Sequence, residues 1–158
     1  MRNAAFLMMV QVLVVAASTP LPAAAATFQV AEEEEGPECW LDFSLSRNQT
    51  LAIFSGKGNG GKRVDLLLED KQEDGRFSKI AETFEVSFRF GDGTRQTYTG
   101  SISEYFGEPY AEADLKLLKK LSDGKAFDLV VTGIEPMHVT DTLPRAAYSQ
   151  FMKCVSHR

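Results

Sequence analysis

Phe84-Glu85-Val86-Ser87-Phe88-Arg89-Phe90-Gly91-Asp92-Gly93-Thr94-Arg95-Gln96-Thr97-Tyr98 decides the fold class. Phe84, Val86, Phe88 and Phe90 alternate with Glu85, Ser87 and Arg89. Period two is the signature of a strand with one buried and one solvated face. Gly91-Asp92-Gly93 is a hairpin connection. Residues 94–98 then read as the return strand, and residues 99–103 can continue it.

The same alternation recurs upstream. Leu41, Phe43 and Leu45 alternate with Asp42, Ser44 and Ser46, and Arg47-Asn48-Gln49 makes a turn. Residues 51–54 and 64–69 read as two more strands, joined by a glycine-rich loop over 55–63. Residues 77–83 fit either a short strand or one helical turn. Downstream, residues 111–121 place Leu115, Leu117, Leu118 and Leu121 against Lys116, Lys119 and Lys120, an amphipathic helix that Gly124 ends. Residues 126–132 read as a strand and 133–139 as a loop. Asp141 or Thr142 can cap a final helix with Pro144 in its first turn; Ala147, Phe151 and Cys154 share one face of it. The expected fold is α+β: a mostly antiparallel sheet of six or seven strands, curled into a small barrel or sandwich, with two short helices in the C-terminal half.

The N-terminus sets the compartment. One basic residue, Arg2, precedes an apolar run over residues 4–17 broken by Gln11; Ser18-Thr19-Pro20-Leu21-Pro22 and four alanines follow. This is the layout of a secretory leader over residues 1–26. Its run of about 14 apolar residues falls short of the ~20 that span a bilayer. Residues 27–38 include Glu32-Glu33-Glu34-Glu35 and read as an acidic flexible lead-in. Residues 39–158 form a single β-rich domain. The chain has two cysteines, Cys39 and Cys154, and in an oxidising compartment they are expected to pair across the domain. Such a protein is periplasmic or secreted.

The formal net charge is −5; loss of Arg2 with the leader takes 17 basic residues to 16 against 22 acidic, a net charge near −6. An acidic domain repels phosphate backbones, which argues against nucleic-acid partners. Gly56-Lys57-Gly58-Asn59-Gly60-Gly61-Lys62-Arg63 comes close to a phosphate-binding loop. However, Arg63 stands where the magnesium-holding hydroxyl belongs, and a strand rather than a helix follows. Its plainer use is a mobile basic loop in which Lys57, Lys62 and Arg63 meet an anion or an acidic surface. Trp40 either packs over the disulfide or stacks on a ligand, and Phe84, Phe88, Tyr98 and Tyr105 read as core. Two reactive sets need testing. Asp42, Glu69, Glu104 and His138 would serve a hydrolase if they converged. Glu135, His138 and Asp141 would hold a metal if their loop curled, although zinc generally takes more His or Cys.

The C-terminal third carries a resemblance. Asp114-Leu115-x-Leu117-Leu118-x-x-Leu121, then Asp123-Gly124-Lys125, a strand, and Leu143-Pro144-x-Ala146-Ala147-x-x-x-Phe151-x-x-Cys154 resemble the closing segment of exported bacterial proteins of the invasion-associated locus B type. The resemblance implies a small β-rich periplasmic or secreted domain, in some members linked to host-cell entry. It transfers no catalytic residue. The function expected from the sequence is therefore an exported, non-catalytic binding or envelope-associated module without a cofactor, its partner a protein or envelope component. A hydrolase and a metal-binding periplasmic protein are the alternatives.

Overall fold

In the computed structural model, which describes residues 25–33, 36–55, 62–71 and 75–156, the hairpin over residues 84–98 forms as the alternation requires. β5 (Thr83–Phe90) pairs antiparallel with β6 (Arg95–Ile102), Phe88 facing Gln96 and Val86 facing Tyr98. Gly93 takes a φ of +83° in the turn, which a residue without a Cβ adopts without strain. Phe84, Val86, Phe88 and Phe90 are buried, while Glu85 and Arg89 are exposed.

Seven other strands join this hairpin: β1 (Thr27–Glu33), β2 (Gly36–Ser46), β3 (Gln49–Phe54), β4 (Arg63–Asp70), β7 (Pro109–Asp114), β8 (Phe127–Val131) and β9 (Met137–Val139). They form one antiparallel sheet in the order β1-β2-β3-β4-β7-β6-β5-β8-β9. The sheet curls into a half-barrel around a single main core. Phe43, Phe88, Phe127 and Phe151 are fully buried there, and Phe127 packs against Phe43, Phe88 and Phe90. Burying each such side chain contributes roughly 1.5–3 kcal/mol.

Two helices follow from local sequence. α1 (Leu115–Leu121) starts where the Asp114 carboxylate accepts the Lys116 N–H at 2.8 Å, satisfying a donor that the first turn leaves orphaned. α2 (Arg145–Ser156) buries Ala147, Phe151 and Val155 and packs on β2 and β1. The Cys39–Cys154 disulfide pins it to β2, with Cα atoms 6.1 Å apart.

The two ends of the sheet meet through a few contacts. β1 begins opposite Asp42, so the β2 edge beyond it is uncovered there. The Ser44 N–H on that stretch donates to the Asp141 carboxylate at 2.8 Å, just past β9. The Ala26 N–H donates to the Thr142 carbonyl at 2.9 Å, within a parallel bridge between Ala25 and Thr142. Asp141 therefore closes the barrel rather than capping α2, whose first turn starts from the Pro144 carbonyl accepting the Tyr148 N–H.

Several elements depart from the sequence expectation. Residues 27–38 are not a free lead-in among the described positions: 27–33 form β1 and 36–38 open β2. Backbone pairing with β2 needs no apolar run, and Phe28 supplies a packed anchor. The expected helix over 111–121 is half strand. Ala111 and Ala113 point inward between β4 and β6, and the helix begins at Leu115. Part of the expected 133–139 loop is β9, and residues 76–79 make a 3-10 turn. The leader over residues 1–26 lies, apart from its last two residues, outside the described positions, as do Lys57 and His157.

Gly100 marks a close approach on the inner side of the sheet. A Cβ there would lie 2.4 Å from the Phe84 ring and 2.5 Å from the Tyr110 carbonyl oxygen. Gly100→Ala should lower stability by about 1–3 kcal/mol through overpacking, measured by urea unfolding. Replacing both Cys39 and Cys154 by Ala frees a loop of 115 residues. It should lower stability by about 4–5 kcal/mol on the chain-entropy account, read from the same unfolding curves.

Candidate functional site: an aromatic, carboxylate-rimmed sheet face

Strand alternation sends half the side chains outside the barrel. On β5, β6, β8 and β9 the outer residues other than Val130 are polar: Ser87 bonds Thr97 at 2.9 Å and Arg95 at 2.8 Å, and His138 Nδ1 lies 2.7 Å from Asp128. On β2, β3, β4 and β7 apolar and aromatic residues are interleaved with the polar ones. Trp40, Phe54 and Asp65 lie side by side across three strands, and Asp42, Ala52, Leu67 and Tyr110 form the next row. Ala52, Phe54 and Leu67 make a second, smaller apolar cluster on this outer face, with Trp40 and Tyr110 packed over it.

Trp40 stacks on Phe54 with ring centroids 4.3 Å apart and planes 18° from parallel. It does not cover the disulfide: neighbours along a strand point to opposite faces, so a buried Cys39 sends Trp40 outward. Phe106 meets Phe54 edge-on at 5.9 Å, and Tyr105 meets Phe106 edge-on at 4.9 Å. The aromatic run thus continues from the sheet onto the β6–β7 loop. Ser103 builds that loop. Its Oγ accepts the N–H groups of Tyr105 and Phe106, its carbonyl accepts that of Gly107, and its own N–H donates to Glu108. Gly107 has a φ of +70°. The fixed turn leaves Tyr105 89% and Phe106 39% exposed, contrary to a core role for Tyr105.

Carboxylates surround the aromatics. Glu38 accepts the Trp40 indole N–H at 3.2 Å, Asp42 accepts Gln29 Nε2 at 2.7 Å, and buried Asp65 accepts the Tyr110 hydroxyl at 2.5 Å. Burial raises the Asp42 carboxyl above its ordinary value. Glu69 is raised by burial first and then by the charges of Glu108 and Asp42, with Lys71 pulling the other way. Glu108 is raised by burial and then by Asp70. Burial and the bond to Asp65 push the Tyr110 hydroxyl well above its usual range.

The other sequence candidates fall as follows. Arg63 pairs with Glu112 across β4 and β7 at 2.7 Å, so its guanidinium already faces a carboxylate, and Lys62 beside it is exposed. Of the hydrolytic set, Asp42 and Glu69 share the face and repel each other, Glu104 stands exposed on the β6–β7 loop, and His138 pairs with Asp128 on β9. A cleft of about 510 Å³ opens between the 3-10 turn and the β6–β7 loop, lined by Phe77, Ile80, Phe106 and Glu108 among others, but by none of Asp42, Glu69 or His138. The metal set diverges too. The Asp141 carboxylate holds the Ser44 N–H and His138 faces Asp128, and among the described residues no group of three His, Cys, Asp or Glu is placed to hold a metal. The aromatic face had one legible signal in the sequence: Tyr110-Ala111-Glu112-Ala113-Asp114 alternates small with large, and the large residues point outward.

The raised carboxyls give a signed pH dependence. A carboxyl higher in the folded than in the unfolded chain makes the fold bind protons more tightly, so the contribution of Asp42 and Glu69 to stability rises as pH falls from neutral toward their ordinary values of 3.8 and 4.5. Glu69→Gln should raise the melting temperature at pH 7, and the gain should shrink toward pH 4 as the wild-type carboxyl protonates; a pH series of thermal melts checks both. No protein family, curated protein or solved structure matches the chain.

Proposed function

We propose that this protein is exported by a leader over residues 1–26 and acts in the periplasm or outside the cell as a non-catalytic binding module. Its contact surface is the aromatic outer face of β2, β3, β4 and β7 together with the β6–β7 loop. The observation that carries this reading is the pair Tyr105 and Phe106, held out on a hydrogen-bonded turn and joined ring to ring with Phe54 and Trp40. Contiguous exposed apolar surface rimmed by polar residues marks interaction sites. Aromatic residues of this kind also anchor protein interfaces.

Export draws support from the leader pattern and from a disulfide that oxidising compartments sustain. The resemblance to invasion-associated locus B proteins favours a partner at the envelope or a host surface. A hydrolytic reading has less support, because Glu104 stands out on the β6–β7 loop and His138 pairs with Asp128 on the opposite half, away from Asp42 and Glu69.

Photocrosslinking tests the surface. Tyr105→p-benzoylphenylalanine in the exported protein should give a discrete adduct that the added change Phe106→Ser abolishes. The same probe at exposed Gln150 on α2 should give none. Identical adducts from both positions, or none from Tyr105, would overturn the assignment.

A further inference from the structure

The described part of the chain exposes three large apolar residues, Val30, Tyr105 and Phe106, and two of them sit together beside the aromatic face. The charge around them is mostly negative, with Lys71 beside Glu69 the cationic exception. Asp42, Glu69 and Glu108 flank the aromatics, and no ion pair joins any of the three to a cation among the described residues. Of the cations on this face, Arg63 is taken by Glu112, and Lys71 beside Glu69 is outweighed there by burial and by the charges of Glu108 and Asp42. We propose that this face binds a lysine- or arginine-rich polypeptide segment, whose side-chain stems lie on Tyr105 and Phe106 and whose charges reach Asp42, Glu69 and Glu108. The proposal rests on the binding face described above and names its partner class.

Spacing separates a polypeptide from a single ion. Asp42 is on β2 and Glu69 on β4, with β3 between them, so two interstrand steps of about 4.8 Å part their backbones. Among the described residues no three His, Cys, Asp or Glu come together as a metal ion's ligand set requires. Alternate side chains of an extended segment stand about 6.6 Å apart and can serve carboxylates spread at this scale. Cationic groups also favour aromatic faces, while their methylene stems cover apolar surface. The partly buried carboxylates repel each other in the free protein, and a bound cation relieves that repulsion. A polyanion would meet like charge at Asp42, Glu69 and Glu108.

Trp40 supplies the readout, because it is the chain's single tryptophan and stacks within this face. The oxidised protein is titrated with hexalysine and hexaarginine, with hexaglutamate and a neutral glucan as controls. Saturable change in Trp40 emission with the cationic peptides, weakened by raising salt from low to physiological strength, is expected. Asp42→Asn combined with Glu69→Gln should weaken binding about tenfold, the scale of losing two charge contacts. Tyr105→Ser with Phe106→Ser should weaken it several-fold, whereas Glu85→Gln with Asp128→Asn on the opposite half should leave it unchanged. Equal weakening by the opposite-half pair would reduce the effect to bulk charge and overturn the proposal. So would hexalysine without saturable response, or preference for hexaglutamate or glucan. If Tyr105 still crosslinks in that last case, the cationic partner class fails and the binding face stands; if both fail, the face itself is wrong.

Discussion

A nine-stranded sheet that curls without fully closing must hold its two ends together, and the Cys39–Cys154 bond is the strongest device for that. In the full chain the two ends are joined through the Ala25–Thr142 bridge, the Ala26–Thr142 hydrogen bond and the bond from Ser44 of β2 to Asp141; loss of a leader ending at Ala26 leaves the Ser44–Asp141 bond of these three. Those few contacts leave a seam that α2 covers by packing on β1 and β2. A helix laid over a seam by one apolar face slides readily. The covalent link fixes its register on β2, so that Phe151 fills the same place in the core in every molecule. The buried Asp141 carboxylate acts in the same direction, since leaving it without the Ser44 N–H would strand a charge in the interior.

Fixing the barrel makes its outside a set of rigid rows. Because side chains alternate strictly, a residue's face is decided by register alone, and register is set by which half of each strand is apolar. β3 and β4 break the usual pattern. Phe54 and Leu67 are apolar on the outside as well as their neighbours on the inside, which gives the continuous apolar runs of strands buried on both faces. Something must cover the outer side of such strands. Trp40, Tyr110 and Phe106 do so in part, and their own outer surfaces remain half-exposed. The asymmetry between this half and the polar, Ser/Thr/Arg half places the proposed interface.

Local patterns in the sequence made much of the fold legible. Residues 84–98 and 39–46 showed their strands because alternation and turn residues agree over a few positions. The disulfide was legible because two cysteines in an oxidising compartment have few other uses. β7 was hidden because Ala111, Glu112 and Ala113 favour helix in isolation, and pairing with both β4 and β6 overrode that preference. β1 was hidden because a run of carboxylates says nothing about backbone hydrogen bonds, which any residue but proline can make. The aromatic face was the least legible part. Trp40, Phe54 and Tyr110 are 70 residues apart at the extremes, and only the sheet order brings them to adjoining rows. Trp40's position beside Cys39 pointed the wrong way, since adjacency along a strand means opposite faces.

The electrostatics of the face follow from the same placement. Asp42, Glu69 and Glu108 would be comfortable on the polar half of the barrel, where water and cationic neighbours surround the outer residues. Set among aromatics all three lose hydration, which raises each of them; Glu69 also feels Glu108 and Asp42, and Glu108 feels Asp70. An arrangement that weakens the isolated fold without building a core is hard to explain by stability alone. It makes physical sense if the free protein is not the state that matters, because the same three charges become favourable once a cation displaces the remaining water. On that view the staple and the strained face belong together: the covalent closure supplies the stability margin that lets the barrel carry unneutralised acid on its aromatic side.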